Sequence, residues 1–238
     1  MLQNKISILS TRLLDDEFIL DAQSQNLSID VVSFIKTDPV SSAESGEEIS
    51  RALAGAGPIV FTSSNAIEAI ASKIKDQKTA RKIFCIGYTT KRSVVKYFGE
   101  GSIAGVASNA KELAEAILRA NVNEVIFFCG DQRRDEMPDQ LKINSIKVTE
   151  IVVYKTTLTP QKIEKKYEGI LFFSPSAVKS FFQINEVPDQ TVLFAIGNTT
   201  ADELKSFSKN KIVTSDVPTS ETLIDKVISY FQVNPIHH

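Results

Sequence analysis

The chain has very little histidine, cysteine or tryptophan, and these absences exclude several kinds of enzyme. Its two histidines, His237 and His238, are the last two residues, where a tag remnant or a frayed end is the ordinary explanation. A serine–histidine–aspartate triad, a cysteine–histidine dyad and a histidine general base are therefore excluded. Cys85 and Cys129 each end an apolar run without a second ligand at metal spacing, so we predict two reduced, buried thiols and no metal site.

Long apolar runs and glycine-rich phosphate loops are missing as well. The longest apolar runs, such as Val125–Cys129 and Val192–Ile196, are far shorter than the ~18–20 residues of a membrane span. Because residues 1–10 contain no extended apolar stretch, we expect no secretory signal and a cytoplasmic location. The chain has 10 glycines and neither G-x-G-x-x-G nor G-x-x-x-x-G-K-[ST], so dinucleotide-binding and P-loop enzymes are disfavoured.

Charge and length set the broad class of protein. The 238 residues include 27 basic and 29 acidic side chains, which give a formal net charge of −2. This balance does not predict nucleic acid as a partner, because phosphate binding requires a basic surface. At about 150 residues per domain, the length corresponds to one large domain or two small ones.

Short apolar runs rich in β-branched residues alternate with longer segments of helical periodicity. Strands that are apolar on both faces and separated by helices predict parallel α/β sheets covered by helices. Because ten strands are too many for one compact sheet in a chain of this length, we predict two five-stranded sheets. The predicted strands are Ile6–Leu9, Ile29–Ile35, Ile59–Phe61, Ile83–Ile86, Ile103–Val106, Val125–Cys129, Val148–Tyr154, Ile170–Phe173, Val192–Ile196 and Lys211–Thr214.

Several segments recur in the same order, which indicates two copies of one α/β unit. VFTSSNAIEAI at 60–70 matches LFFSPSAVKSF at 171–181, and FCIGYTT at 84–90 matches FAIGNTT at 194–200. A weaker match aligns ISILSTR, which begins at Ile6, with VIFFCGD, which begins at Val125, at an offset of 119 residues. Chance is a poor explanation for all of these matches in order.

The repeated segments place hydroxyl and amide side chains where a strand passes into a helix. In a parallel sheet these turns lie at one carboxyl edge, where free backbone N–H groups suit carboxylate or phosphate groups. The alternative is that each residue only caps its helix, because a glutamate follows three residues after some of them, as in a capping box. The pairs with that spacing are Asn65–Glu68, Asn109–Glu112 and Thr200–Glu203. The candidate ligand-binding residues are Ser63, Asn65, Thr90, Ser174, Thr200 and Thr219.

Two further side chains stand out for their chemistry. Arg12 directly follows an apolar strand at the predicted functional edge, and it is the best basic candidate for an anionic ligand. Tyr154 ends another apolar strand and precedes a polar connector. One interpretation of Tyr154 is an edge aromatic whose hydroxyl reaches water. The other is a phenol that donates a proton or a hydrogen bond to a leaving group.

Seven segments, taken in order, resemble the uroporphyrinogen-III synthase family over essentially the whole chain. The ordered series is more specific than any single motif, because members of this family diverge strongly. The segments are ILSTR (8–12), VFTSSNAIEA (60–69), CIGYTT (85–90), VVYKT (152–156), FFSPSAVKSF (172–181), AIGNTT (195–200) and PTSETL (218–223).

The resemblance implies a cofactor-free cytosolic lyase of tetrapyrrole synthesis, which closes hydroxymethylbilane with loss of water and inverts its last pyrrole ring. It also implies two flavodoxin-like, doubly wound domains joined by two antiparallel linker strands, with the substrate in the cleft. One domain would comprise residues 1–34 plus 156–238 and the other residues 35–155, although the pattern alone favours a break near residue 120. A monomer that receives its substrate by hand-over from hydroxymethylbilane synthase completes these expectations.

The resemblance also carries individual residues over. Tyr154 matches the family tyrosine that assists departure of the substrate hydroxyl, and Arg12 matches the arginine of the first-strand T-R. Leu13 departs from the family, since many members have proline there, and Asn65 stands where some have arginine. The positions that match turns contacting the acidic side chains of the substrate, largely alongside backbone amides, are Ser63, Thr90, Ser174 and Thr219.

A second class of function stays open from the residues alone. A two-lobed, non-catalytic cytosolic binding module for a small acidic ligand would use the same helix starts. The expected lack of a secretory signal counts against a periplasmic receptor but not against a cytosolic sensor. The two classes differ in the product formed from hydroxymethylbilane, since only the synthase gives the inverted isomer.

Overall fold

The computed structural model describes residues 5–74 and 81–234. The interpretation of His237 and His238 lies outside these described residues. The chain divides into two compact units. Unit 1 comprises Met1–Lys36 and Thr157–His238, and unit 2 comprises Thr37–Thr156.

Strands and helices alternate along the described chain, as the apolar periodicity predicts. The strands are β1 (Ile6–Ser10), β2 (Leu27–Val31), β3 (Ile35–Pro39), β4 (Ile59–Phe61), β5 (Ile83–Ile86), β6 (Ile103–Ala107), β7 (Glu124–Gly130), β8 (Lys147–Leu158), β9 (Gly169–Phe172), β10 (Val192–Ala195) and β11 (Ile212–Thr214). The α-helices are α1 (Asp16–Ser24), α2 (Ala43–Ala54), α3 (Ser64–Ile70), α4 (Tyr88–Phe98), α5 (Ala110–Arg119), α6 (Glu136–Ile143), α7 (Pro175–Phe182), α8 (Asn198–Lys205) and α9 (Ser220–Val233). Short 3₁₀ turns lie at Ala71–Lys73 and Glu100–Ser102.

The two sheets repeat one strand order. The five-stranded sheet of unit 1 has the order β2-β1-β9-β10-β11, and its neighbouring strands are parallel. The six-stranded sheet has the order β3-β8-β7-β4-β5-β6, and its strands from β8 to β6 are parallel to their neighbours. Without the edge strand β3, the second order repeats the first, with β7 in the place of β1 and β4 in the place of β9.

In each sheet the chain winds outward in both directions from one point. That point lies between β1 and β9 in the first sheet and between β7 and β4 in the second. We call these two places the switch points. Open parallel sheets bind their ligands at such places, because the crossovers diverge there and leave a crevice at the carboxyl ends of the strands.

Both sheets are buried on both faces, because alternate side chains of the central strands enter different apolar clusters. In β9, for example, Ile170 and Phe172 pack in one cluster while Leu171 packs in another. The strand β4 divides its side chains in the same way. The predicted class, parallel α/β sheets covered by helices, is confirmed.

The prediction of two five-stranded sheets is wrong by one strand, because the predicted strand Ile29–Ile35 is two strands, β2 and β3. Between them Phe34 is fully buried, and its ring centroid is 5.1 Å from that of Phe181 in α7. Its carbonyl accepts a hydrogen bond from the N–H of Thr159 (3.0 Å). The apolar run is continuous across the break because Phe34 joins the core instead of turning towards solvent.

The two cysteines are buried and free, as predicted. Burial raises the pKa of both Cys85 and Cys129 to about 11, so both stay protonated and unreactive at neutral pH. Within the described residues, the helices are too short or too polar to cross a bilayer.

Candidate functional site

Apart from Tyr154, the candidate residues lie on two groups of strand-to-helix turns, one group in each unit. Tyr154 was predicted to end its strand, and this is wrong: it lies inside β8, which continues to Leu158 because backbone groups beyond Tyr154, such as the N–H of Thr156, are still hydrogen bonded. In unit 1 the turns follow β1, β9, β10 and β11, and in unit 2 they follow β4, β5, β6 and β7. Because these strands run parallel within their own sheet, each group of turns lies at one edge. The N-termini of α7, α8 and α9 therefore share an edge in unit 1, and those of α3, α4 and α5 share an edge in unit 2. Helix starts of this kind present backbone N–H groups and a partial positive charge.

Side chains cap several of these helices. The hydroxyl of Ser63 accepts a hydrogen bond from the backbone N–H two residues later (3.1 Å). The hydroxyls of Ser174 and Thr219 each accept one from the N–H three residues later (3.1 and 3.2 Å). A cap satisfies one of the four N–H groups that a helix start leaves unpaired, and the rest remain for water or an anion. The capping interpretation is confirmed for these three residues, and it is compatible with ligand binding.

One of the three predicted capping boxes lies at a helix start and forms a reciprocal cap, although its carboxylate accepts from the asparagine side chain and the Ser108 N–H and not from the backbone N–H of Asn109. In Asn109–Glu112, the N–H of the glutamate donates to the asparagine side chain (2.9 Å), and the asparagine N–H₂ donates back to the carboxylate (3.0 Å). The other two predictions are wrong. Asn65 and Thr200 lie inside the first turn, because Ser63 and Gly197 are the residues that precede α3 and α8.

Thr90 and Thr200 occupy equivalent places, as the third residues of α4 and α8. Both are nearly inaccessible, with 5% and 3% of their surface exposed. The glycines that precede the two helices, Gly87 and Gly197, leave the backbone uncovered at these turns. Gly87 has a φ of +80°, a conformation that favours glycine. These two turns are therefore better suited to main-chain contacts with a ligand than to contacts through the threonine hydroxyls.

Arg12 lies at the switch point of the first sheet, between the ends of three elements. Its guanidinium carbon is 4.5 Å from the ring centroid of Phe173, which follows β9. Its Nη2 donates to the hydroxyl of Ser220, the first residue of α9 (2.7 Å). The preceding residue, Thr11, fixes the end of β1, because its N–H and its hydroxyl both donate to the Leu171 carbonyl (3.0 and 2.8 Å). The sequence predicted Arg12 but missed its partners, which are far away along the chain.

The environment of Arg12 suits an anion. Loss of water around the guanidinium lowers the pKa of Arg12, and the nearby Asp15 carboxylate opposes that change. Arginine nevertheless stays protonated at neutral pH. The residue keeps an exposed surface beside the N-terminus of α9, where the helix dipole adds to its charge. A carboxylate at this place would meet a charged donor and free backbone donors together.

Tyr154 belongs to the switch point of the second sheet. In the ladder between β7 and β8, Cys129 pairs with Val152 but Gly130 pairs with Tyr154, so Val153 is an extra residue. Such a bulge changes the direction in which the following side chain points. Tyr154 consequently packs against the same apolar cluster as Val153, although neighbours in a regular strand point to opposite faces.

Ser63 caps α3 at the end of β4, one strand beyond β7 from Tyr154. Burial raises the pKa of Tyr154, and the side chain of Ser63 acts in the opposite direction, as a hydrogen-bonding neighbour does. Tyr154 therefore keeps its proton at neutral pH. The structure brings together two of the predicted site residues at this point, a partly buried phenol and a serine hydroxyl.

The loop after β7 holds the backbone of β8 around Tyr154. The N–H of Asp131 donates to the Tyr154 carbonyl (3.1 Å), and the Asp131 carboxylate accepts from the N–H of Thr156 (2.9 Å). The side-chain amide of Gln132 donates to the Thr156 carbonyl (3.0 Å). Asp131 and Gln132 were not among the residues predicted from the sequence. The weak repeat contains a signal for one of them, since the offset of 119 aligns Asp131 with Arg12.

Other parts of the described chain are weaker candidates for a functional site. Residues 5–74 and 81–234 contain no group of three or more His, Cys, Asp or Glu side chains placed to hold a metal ion. A surface hollow of about 650 Å³ is lined by residues of α2 and by Lys73, and another of about 680 Å³ is lined by Phe182, Phe207 and the loop residues that follow α7 and α8. Neither hollow is lined by any of the candidate residues, so the two switch points remain the candidate sites.

Comparisons with known proteins agree on one family. The family model described as "Uroporphyrinogen-III synthase HemD" (HEM4) matches residues 19–225. A curated relative named uroporphyrinogen-III synthase, from Saccharomyces cerevisiae, is 26% identical over 212 residues, which cover 72% of this chain and 75% of the relative.

Solved structures show the same fold. The crystal structure of a mutant uroporphyrinogen III synthase from Thermus thermophilus has a TM-score of 0.67 at 12% identity, covering 96% of this chain and 98% of that one. The uroporphyrinogen-III synthetase of Helicobacter pylori 26695 has a TM-score of 0.65 at 14% identity, covering 94% and 99%. At such low identity the likeness is evidence for the fold alone.

Proposed function

Because the chain belongs to the uroporphyrinogen-III synthase family, we propose that it converts hydroxymethylbilane into uroporphyrinogen III. In this reaction the linear tetrapyrrole loses water and closes into a ring, while its terminal pyrrole is inverted. The family assignment disfavours the rival function, a non-catalytic binding module for a small acidic ligand.

The observation that carries the proposal is the chemistry at the two switch points. One has a charged donor beside a helix N-terminus, Arg12 with Ser220, and the other has a protonated phenol, Tyr154 with Ser63. A substrate with eight carboxylates requires many anion donors, and its hydroxyl requires help to leave. We assign binding of the carboxylates to the turns that contain Arg12, Ser63, Asn65, Thr90, Ser174, Thr200 and Thr219.

Tyr154 is assigned the departure of the hydroxyl. As the C–O bond of the hydroxymethyl group breaks, the phenol donates its proton to the leaving oxygen, which departs as water. The pyrrole nitrogen supplies the electron pair, and a cationic, electrophilic azafulvene results beside the phenolate. The proton that the terminal ring loses at the final closure restores the phenol. A raised pKa suits this role, because the hydroxyl stays protonated until the oxygen develops negative charge.

The inversion of the last ring is a matter of conformation. The substituted carbon of the terminal ring attacks the azafulvene and gives a spirocyclic intermediate, which fragments and closes again with that ring turned. The uncatalysed chain closes directly to the uninverted isomer I. The protein therefore has to hold the chain so that the spirocyclic route is faster than direct closure. Fixed anion donors can do this without a strong acid or base.

The proposal includes the architecture expected from the resemblance. The chain would form two flavodoxin-like domains, residues 1–34 plus 156–238 and residues 35–155, joined by two antiparallel linker strands. The shared strand order supports the first part. For the linker, the N–H of Val40 donates to the Val153 carbonyl and the N–H of Thr159 donates to the Phe34 carbonyl. From the second of these hydrogen bonds to the first, the residue number increases on one strand and decreases on the other, which is the pairing of antiparallel strands.

The cellular setting belongs to the same proposal. We expect a cytoplasmic monomer that receives hydroxymethylbilane from the synthase that makes it. The chemistry supports a direct hand-over, because free hydroxymethylbilane closes spontaneously to the wrong isomer.

The test is the isomer formed from freshly prepared hydroxymethylbilane. With the protein present, the product should be largely uroporphyrinogen III, formed faster than spontaneous closure. A heat-denatured sample should give isomer I at the spontaneous rate. Isomer I alone at that rate from the folded protein would rule out the synthase, and tight binding of the substrate without turnover would favour the binding module.

A further inference from the structure

Gly130 ends β7 directly beneath the ring of Tyr154. A Cβ atom at this position would lie 2.4 Å from the Cζ atom of Tyr154 and 2.7 Å from its hydroxyl oxygen. Real Cβ atoms do not approach other heavy atoms so closely. The backbone of Gly130 does not have a positive φ, so it is space and not backbone conformation that requires glycine here.

The next residue holds the same tyrosine through its backbone. The N–H of Asp131 donates to the Tyr154 carbonyl, and its carboxylate accepts the N–H of Thr156. The bulge at Val153 has shifted the register of the ladder by one residue just before this point. In a regular ladder a backbone carbonyl would accept the N–H of Thr156. Here the Asp131 carboxylate accepts it instead, and this hydrogen bond holds β8 on the far side of the bulge.

These contacts determine where the phenol oxygen lies. The ring can rest on β7 because Gly130 has no side chain, and at that depth its hydroxyl is close enough to Ser63 for that side chain to lower its pKa. Ser63 is itself held in place, because its hydroxyl caps α3. A methyl group at position 130 would push the ring away from β7 and separate the phenol from Ser63.

We propose that Gly130 and Asp131 are positioning residues, which set the place of the Tyr154 hydroxyl without touching the substrate's reacting atoms. The inference rests on the proposed function, in which that hydroxyl assists the departing water. It predicts that changes at these two positions act on turnover only through Tyr154.

The main test compares Gly130→Ala with Gly105→Ala. A Cβ at Gly105, in β6 of the same sheet, would meet the ring of Phe84 at 2.9 Å, so the control introduces a similar clash far from Tyr154 in the strand order. Gly130→Ala should lower kcat about 10-fold, since a misplaced catalytic group is costly, while KM changes less than about 3-fold. Gly105→Ala should lower thermal stability but keep the kcat of the wild type.

A second measurement separates positioning from general damage. In the Tyr154→Phe background, which lacks the hydroxyl, Gly130→Ala should cause less than about a 2-fold further loss of kcat. The ionisation of Tyr154, followed by NMR of ¹³Cζ-labelled tyrosine, should move from its raised pKa towards about 10 in Gly130→Ala, as an exposed phenol does. The Tyr154→Phe protein assigns the resonance. This readout does not depend on activity.

Asp131 is tested with a matched pair. Asp131→Asn keeps an oxygen that can accept the N–H of Thr156 and should retain kcat within about 2-fold, whereas Asp131→Ala should lower it about 3- to 10-fold. If Gly130→Ala does not fold, this pair decides the question.

The outcomes distinguish the two proposals. An inactive wild-type protein whose Tyr154 pKa still shifts in Gly130→Ala contradicts the proposed function and leaves the geometry standing. An active wild type with unchanged kcat in Gly130→Ala overturns the positioning role and leaves the synthase function intact. So does a Gly130→Ala loss that is equally large in the wild-type and Tyr154→Phe backgrounds.

Discussion

The two switch points have the same strand order around them but carry different chemical groups. In the first sheet, Arg12 brings a positive charge against Phe173 and the start of α9. In the second, a neutral phenol, Tyr154, lies over Gly130 and meets Ser63. The first arrangement can hold an anion, and the second can give a hydrogen bond or a proton.

The difference depends on residues that the repeat aligns. The offset of 119 places Thr11 opposite Gly130 and Arg12 opposite Asp131. Thr11 fills its position with a hydroxyl that bonds across to Leu171, whereas Gly130 leaves its position empty for an aromatic ring. The comparison teaches that one fold unit can present an arginine or a phenol at its switch point, depending on a few residues at and beside the strand ends.

The largest effect is expected from removing the phenol. Tyr154→Phe should lower kcat about 10- to 100-fold with little change in KM, within or below the usual range for acid–base help. Because burial raises the pKa of Tyr154, the wild-type kcat that depends on its proton should fall only above a pH of about 10. Steady-state kinetics across pH measure both. A Tyr154→Phe protein with wild-type kcat would remove the difference between the switch points.

Arg12 should show the complementary pattern. Arg12→Met removes the charge and should raise KM about 10-fold while kcat changes less than about 2-fold, since a charge-assisted hydrogen bond is worth about 1.5–3 kcal/mol. Arg12→Lys should lie between the two, because a lysine keeps the charge but not the planar fork. Added salt should raise the KM of the wild type more than that of Arg12→Met. A loss confined to kcat contradicts the assignment of Arg12 to binding.

The stability of the two units can be compared with one substitution in each. A Cβ at Gly169 in β9 would lie 2.8 Å from Ile8, and one at Gly105 in β6 would lie 2.9 Å from Phe84. Each change to alanine should lower the free energy of unfolding by about 1–3 kcal/mol, as overpacking does. If the units unfold separately, calorimetry should show each variant moving a different transition. A single transition that both variants shift alike means that the units unfold together.

The smallest effect concerns α7 of unit 1. Among the described buried side chains, the Ser180 hydroxyl has no hydrogen-bond partner. Ser180→Ala should raise the free energy of unfolding by up to about 1 kcal/mol, because it removes an unsatisfied polar group and favours the helix. Ser174→Ala removes the N-cap of the same helix and should lower it by about 1 kcal/mol. Chemical denaturation measures both, and two changes of the same sign would contradict the expectation for Ser180.

Much of the fold followed from local pattern. The predicted strands Ile59–Phe61 and Ile83–Ile86 have the bounds of β4 and β5, because their buried apolar runs end at turn residues. The break between β2 and β3 could not be predicted in this way, because Phe34, which lies in the break, is itself apolar and buried. The starts of α3 and α8 were misplaced because Asn65 and Thr200 have the composition of caps but do not have the backbone position.

The candidate site was predicted by residue but not by arrangement. Arg12 was selected because it follows a strand and Tyr154 because it was predicted to end one, and both are local properties, although Tyr154 lies inside β8. The sequence contained no sign of their partners, because each partner lies far along the chain. Phe173 and Ser220 matter because the guanidinium of Arg12 contacts them. Gly130 matters because the ring of Tyr154 lies against it.

The sequence by itself determined that apolar strands alternate with helices, that the unit is repeated, and that polar residues follow the strands, because periodicity and residue type act over a few neighbouring residues. Only the tertiary structure decided which strand ends lie side by side, and hence which residues meet at each switch point. Strand order depends on packing between segments separated by up to about 160 residues, such as β1 and β9. A short window of sequence contains no record of that packing.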